Sequence, residues 1–275
     1  MKITYIIMLV PLFIACKKEA PIVETTSNQK EIISTHLNKG AYKYHYMDRE
    51  WGKHIDKGLE KDSTIAHLWQ QKALPYWKMR KYEVALKHYN KAVKYDRQRY
   101  LGRRGFLKCI FQKNYEEALI DFNNYKKEFG HTYEQDHSIE FWIAICHLQL
   151  NEYRKAFNVL NNEIKKQEKE HGANWVNYLD RFYLGIIYLE LEDYENAIIE
   201  FDKVLNEYVF FSDAQYYKAY CLNKLGEKAK AKKLINIGKQ NYKNGFTFNE
   251  GSGANFEPYP YQIVWEWEFV ESIIR

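Results

Sequence analysis

Four side chains in the stretch HTYEQDH are of types that ligate metals: His131, Glu134, Asp136 and His137. Imidazole nitrogen combined with carboxylate oxygen suits a transition metal such as zinc. No second half with matching spacing follows in the sequence, so the stretch reads as polar loop surface and no metal ligand is assigned. The run HYMDREWGKH from His45 to His54 fits no ligand spacing and reads the same way. The sequence holds no Ser/His/Asp set, no CxxC, no phosphate-cradling Gly loop and no paired-carboxylate motif. Neither catalytic residues nor a cofactor is expected, and the chain reads as non-catalytic.

Cys16 is the residue with the most definite chemistry. The chain opens MKITYIIMLVPLFIACKKE, with one basic residue, an apolar run from Ile3 to Ala15, and then Cys16. That run falls short of the ~20 residues needed to span a bilayer and suits an export signal. Phe13 is too large for ordinary signal cleavage, whereas Ile14-Ala15-Cys16 resembles the lipobox of bacterial lipoproteins. The resemblance implies a signal peptide over residues 1–15, and Cys16 as first mature residue carrying a thioether-linked diacylglycerol and an N-acyl chain. A lipid anchor of ~0.8 kcal/mol per buried methylene would hold the chain on a membrane. Residues 16–30 then form a polar tether. By the same resemblance, Lys17 in place of Asp points to the cell envelope and its outer membrane, facing periplasm or surface. An uncleaved or plainly secreted chain is the alternative.

What must stand behind that tether is helical. The 275 residues are 46% apolar and 17% aromatic, with 13 Gly and 5 Pro, which favours an all-α chain with a large core over short strands. The net charge of +5 is spread over interleaved Lys and Glu, as in KKQEKE from Lys165, so it reads as solvated helix surface with no nucleic-acid partner.

From Tyr178 to Phe211, Leu184, Gly185 and Tyr188 fall at helical spacing, and then Tyr194, Ala197, Phe201 and Val204 do so again. Small Gly185 and Ala197 let two helices approach while the aromatics fill the space around them. This pattern resembles a tetratricopeptide repeat (TPR). The second-helix alanine recurs as Ala85, Ala118, Ala156, Ala197 and Ala231, in steps of 33, 38, 41 and 34, against a family period of about 34. Extra residues are therefore expected around His131 to His137 and Gln167 to Asn174. The resemblance implies an all-α superhelix of antiparallel helix pairs, five repeats over 66–245 in all. Residues 31–65, with Trp51, Ile55 and Gly58, read as a degenerate repeat or an N-terminal cap. Phe106 and Cys109 are the expected first-helix anchors of the second repeat, and His147 falls at a helix-packing place that calls for a hydrogen bond. Cys109, Cys146 and Cys221 sit at or beside buried places and read as packing, with a Cys109 to Cys146 bridge as the alternative.

In TPR proteins the first helices line a concave groove for a peptide. By the resemblance, that surface carries Leu74 and Trp77, then Arg103, Leu107 and Phe111. It continues with Phe141 and Ile145, then Phe182 and Ile186, and ends with Tyr216 and Tyr220. Leu74 and Gln70 stand where chaperone-binding TPRs use Lys and Asn to hold a terminal carboxylate. An apolar groove of this length must be covered by a protein or peptide partner or by the chain itself. Residues 246–275, rich in aromatics and broken by Gly251, Gly253, Pro258 and Pro260, read as a tail or cap, with a last helix or a strand near Trp265 and Trp267. The expected function is a lipid-anchored scaffold for protein–protein interaction. Glycan capture by exposed aromatics and membership of an outer-membrane assembly complex are the alternatives. The sequence leaves the oligomeric state unknown.

Overall fold

The computed structural model describes residues 25–248 and 257–264. Cys16 and the other leader residues, and Trp265 and Trp267, lie outside them. Ten helices pair in order: α3 (Ala66–Lys78) with α4 (Tyr82–Tyr95), α5 (Arg97–Leu107) with α6 (Tyr115–Phe129), and α7 (Ile139–Gln149) with α8 (Tyr153–His171). Then α9 (Tyr178–Glu190) pairs with α10 (Tyr194–Glu207), and α11 (Ser212–Lys224) with α12 (Lys228–Lys243). Each helix also packs on its sequence neighbour, so one core runs through all five pairs.

Each pair closes the same way. Ala85, Ala118, Ala156, Ala197 and Ala231 are all fully buried. Five residues before each alanine stands a residue in the left-handed conformation: Arg80, Lys113, Asn151, Glu192 and Gly226. Only the last is glycine, the residue that adopts this conformation without steric cost. The small-residue seam is tight at two places. A Cβ on Gly185 would lie 2.7 Å from the Phe201 ring, and one on Gly105 would lie 2.8 Å from the Phe122 ring.

Gly105, not the expected Phe106, is therefore the small anchor of the second pair. The partners there are 17 residues apart against 16 for Gly185 and Phe201. A π-helical turn at Lys108–Gln112, continuous with α5, absorbs the extra residue. The closing bond reflects it too, since Asn114 N donates to Lys108 O, six back, where Asp193 N reaches Tyr188 O, five back.

The long steps have different origins. Between α6 and α7 a two-stranded hairpin, β1 (Tyr133–Glu134) and β2 (His137–Ser138), turns through Gln135 and Asp136, both at positive φ. Between α8 and α9, α8 runs on to His171 and a 3-10 turn follows at Ala173–Trp175.

At the amino end α1 (Ser27–Ile33), the π-helical turn after it (Ser34–Asn38) and α2 (Arg49–Lys61) build a satellite core of Ile32, Leu37, Trp51, Ile55 and Leu59 against Leu68 of α3. Pro75 lies inside α3 and cannot donate to the carbonyl of Gln71. The indole of Trp51 supplies that hydrogen bond instead, at 3.2 Å, and so fastens α2 to the repeat it covers.

Candidate functional site

Residues 257–264 run along the first helices of the array, in the same direction as the repeats themselves. Glu257 meets Tyr82 and Arg80 at the α3–α4 turn, and Lys113 at the next turn donates to Pro258 O. The following contacts come from one repeated position. Two residues before the small anchors Ala144, Gly185 and Ala219 stand Trp142, Tyr183 and Tyr217. The Trp142 ring lies 6.1 Å from that of Tyr259, Tyr183 Oη donates to Pro260 O at 2.7 Å, and Tyr217 Oη donates to Tyr261 O at 2.9 Å. Three consecutive repeats thus touch three consecutive tail residues.

The tail segment is a β-turn. Gln262 N donates to Tyr259 O, Pro260 occupies the second position, and Tyr261 takes φ 60° at the third. Pro followed by a positive φ is the type II pattern, in which glycine normally takes the third place. A tyrosine there costs on the order of 1–2 kcal/mol, offset by its surroundings. Its carbonyl is held by Tyr217 and its hydroxyl donates to Glu190 at 2.7 Å. Burial pushes the phenols of Tyr183 and Tyr217 well above their usual range, so both remain neutral donors.

Asp213, at the start of α11, fastens this segment at its far end. Fully buried, it accepts from Ile263 N at 2.7 Å and from Thr247 Oγ1 at 2.7 Å. Burial raises its carboxyl to about 6, against the pull of those hydrogen bonds. Phe248 packs its ring among Phe182, Tyr183, Phe211 and Tyr259.

The groove residues named from the sequence divide into two sets. Leu74, Trp77, Arg103, Leu107 and Phe111 come together around a solvent-open cleft of about 390 Å³ at the first two pairs. The Trp77 indole N–H there is buried with no acceptor, and Arg103 pairs with Glu134 at 3.0 Å. Phe141, Ile145, Phe182 and Ile186 are instead at most 1% exposed, sealed within the repeat stack, and cannot serve as open groove surface in this conformation. The residues that meet Tyr259 and Pro260 are one place later, at Trp142 and Tyr183, while Phe182 packs on Phe248. Tyr216 and Tyr220 line a second cleft of about 470 Å³ beside Tyr261.

His137 is not surface polar as its loop composition suggests. It is 1% exposed, stacks on Phe141 with centroids 4.0 Å apart, and binds Asp180 through Nδ1 at 2.9 Å. His147 is hydrogen-bonded to Glu152 at 2.6 Å. Cys109 and Cys146 are free, buried thiols with sulfurs 3.9 Å apart.

Tetratricopeptide-repeat family models match residues 66–99, 181–208 and 213–244, which are three of the five helix pairs. These three helix pairs are tetratricopeptide repeats by that match. Its fold is the all-α TPR superhelix, shared with solved structures at low identity. PilW, a type IV pilus biogenesis factor, is 14% identical, with 79% of this chain and 95% of that one covered and a TM-score of 0.61. A TPR protein from Parabacteroides merdae ATCC 43184 is 14% identical, with 90% and 98% covered and a TM-score of 0.59. YrrB, a TPR protein with an unusual peptide-binding site, is 17% identical, with 69% and 93% covered and a TM-score of 0.50. No curated protein matches the sequence.

Proposed function

We propose that this TPR protein is a non-catalytic scaffold, lipid-anchored through Cys16 at the cell envelope, that captures a turn-forming segment of another protein in its groove. The observation that carries the reading is the seat of residues 257–263. The second, fourth and fifth repeats already grip backbone carbonyls of the tail, Lys113 the one before the Pro-Tyr turn and Tyr183 and Tyr217 the two within it. Carbonyl recognition is indifferent to side chain, so the same donors serve a partner that presents a similar backbone. The open cleft around Trp77 and Arg103 gives that partner a first foothold while the tail remains docked. YrrB, similar in fold, also has a peptide-binding site.

The test separates groove from anchor. A chain ending at residue 256 should bind a synthetic peptide of residues 257–264 saturably, whereas the full chain should not; absence of binding to the shortened, folded chain sinks the groove reading. Cys16→Ala should release the protein from membranes with its partner binding intact, and retention at the membrane sinks the anchor.

A further inference from the structure

The loop at the junction of the second and third repeats brings together groups that lie far apart in sequence. His131, between α6 and β1, puts Nε2 2.9 Å from Glu163 Oε1 of α8 and 3.7 Å from Glu140 Oε2 of α7. All three atoms lie within 4.8 Å of one another. Both carboxylates are buried, Glu140 at 8% and Glu163 at 4% exposure. Lys126 occupies the other oxygen of Glu140 at 3.0 Å, but Oε2 is buried with no hydrogen-bond donor. A buried carboxylate oxygen left without a donor is costly unless something positive faces it.

We propose that His131, Glu140 and Glu163 form a binding site for a divalent transition-metal ion of the zinc type. Metal–nitrogen and metal–oxygen bonds of about 2.0–2.2 Å in a tetrahedral shell put neighbouring ligand atoms roughly 3.3–3.5 Å apart. The observed 2.9 and 3.7 Å straddle that separation, and with the two carboxylates no more than 4.8 Å apart, side-chain shifts that draw the three atoms onto one ion complete the geometry. One imidazole nitrogen disfavours calcium and magnesium, which take oxygen shells, and two carboxylates with no thiolate disfavour a soft ion. Gln167 donates Nε2 to the same oxygen, Glu163 Oε1, at 2.9 Å, which orients that carboxylate and leaves the oxygen's other lone pair for the ion. The His131 side chain is 31% exposed, so an ion has an entry path and a fourth position for water.

The site joins a loop residue to both helices of the third pair, where the array carries extra residues. Glu140 stands two residues before Trp142, whose ring meets Tyr259 of the tail and whose indole donates to Glu134 O of the hairpin at 2.8 Å. Binding of the ion would therefore stiffen the junction from which the groove reads the tail.

Chelator-treated full chain is titrated with Zn²⁺ by calorimetry and with Co²⁺ by visible absorption. The expected result is one saturable equivalent, a cobalt ligand-field band displaced by Zn²⁺, and no competition from millimolar Mg²⁺ or Ca²⁺. His131→Ala, in an exposed loop, should weaken binding at least tenfold. Glu140→Gln, which keeps shape and removes charge, should do the same, and either folded variant suffices. No saturable binding by the parent chain, or binding unchanged in a folded variant, overturns the proposal.

Discussion

Asp213 Oδ1 accepts the backbone N–H of Ile263, fifty residues further along the chain, at 2.7 Å in a fully buried setting. The same carboxylate accepts from Thr247, so one side chain holds the residues just after α12 and the far end of the 257–264 segment together.

Stability should consequently depend on the charge of Asp213. Its carboxyl titrates near 3.8 when unfolded and is raised to about 6 by burial in the fold. Folding therefore takes up a proton between those values. The stabilisation is full below pH 3.8 and is lost as pH rises through 6. A shift of this size corresponds to about 3 kcal/mol. Urea unfolding from pH 4 to 8 should show this slope, and Asp213→Asn should remove it. A variant with an unchanged slope contradicts the assignment.

Tyr183 and Tyr217 should each contribute to holding the tail through one hydroxyl. Tyr183→Phe removes the donor to Pro260 O and leaves a buried carbonyl unpaired, at a cost of about 1 kcal/mol or somewhat more. Binding of the 257–264 peptide to the chain ending at residue 256 should fall roughly tenfold for that variant, and similarly for Tyr217→Phe. Equal affinity for parent and variants would show that these hydroxyls do not read the backbone.

The two glycines Gly185 and Gly52 should respond in opposite directions to alanine. A Cβ on Gly185 would meet the Phe201 ring at 2.7 Å, so Gly185→Ala forces the α9–α10 seam apart and should destabilise by about 1–3 kcal/mol. Gly52, inside α2, has nothing within 4 Å, and Gly52→Ala should stabilise by up to about 1 kcal/mol through helix propensity. Thermal unfolding of the pair checks this, and a neutral Gly185→Ala would mean that the seam yields.

The alanine spacing made the helix pairs legible because a close helix crossing admits only small residues, and all five alanines are buried. The second repeat hid its true anchor because a π turn adds a residue without any change in composition, which shifted the reading from Gly105 to Phe106. Four of the five left-handed turns carry no glycine signal, because Arg80, Lys113, Asn151 and Glu192 stand where only the fifth repeat has glycine. In the third and fourth repeats the side chains that meet residues 259 and 260 stand one place after Phe141 and Phe182. Adjacent helical positions differ by about 100° in direction, enough to turn Phe141 and Phe182 into the stack while Trp142 and Tyr183 meet Tyr259 and Pro260. The seat of the tail itself joins Tyr82 to Glu257 across 175 residues, and no local pattern encodes such a contact.

Asp121 should be the most sensitive charged residue in the array. It is 2% exposed, holds the Arg104 guanidinium in a two-pronged contact at 2.8 and 2.7 Å, and lies 3.0 Å from the ammonium of buried Lys108. Lys108 opens the π turn that corrects the register of the second repeat, so this cluster ties charge pairing to backbone geometry. Removal of the carboxylate by Asp121→Ala leaves Arg104 with Asn90 and Lys108 with Glu117 as their remaining partners, two cations short of countercharge in a poorly hydrated seam, at a cost of up to about 3–5 kcal/mol. Simultaneous Lys108→Met removes one stranded charge and should recover part of the loss. Chemical denaturation of the single and double variants measures the coupling, and strictly additive losses would show that the three side chains do not act together.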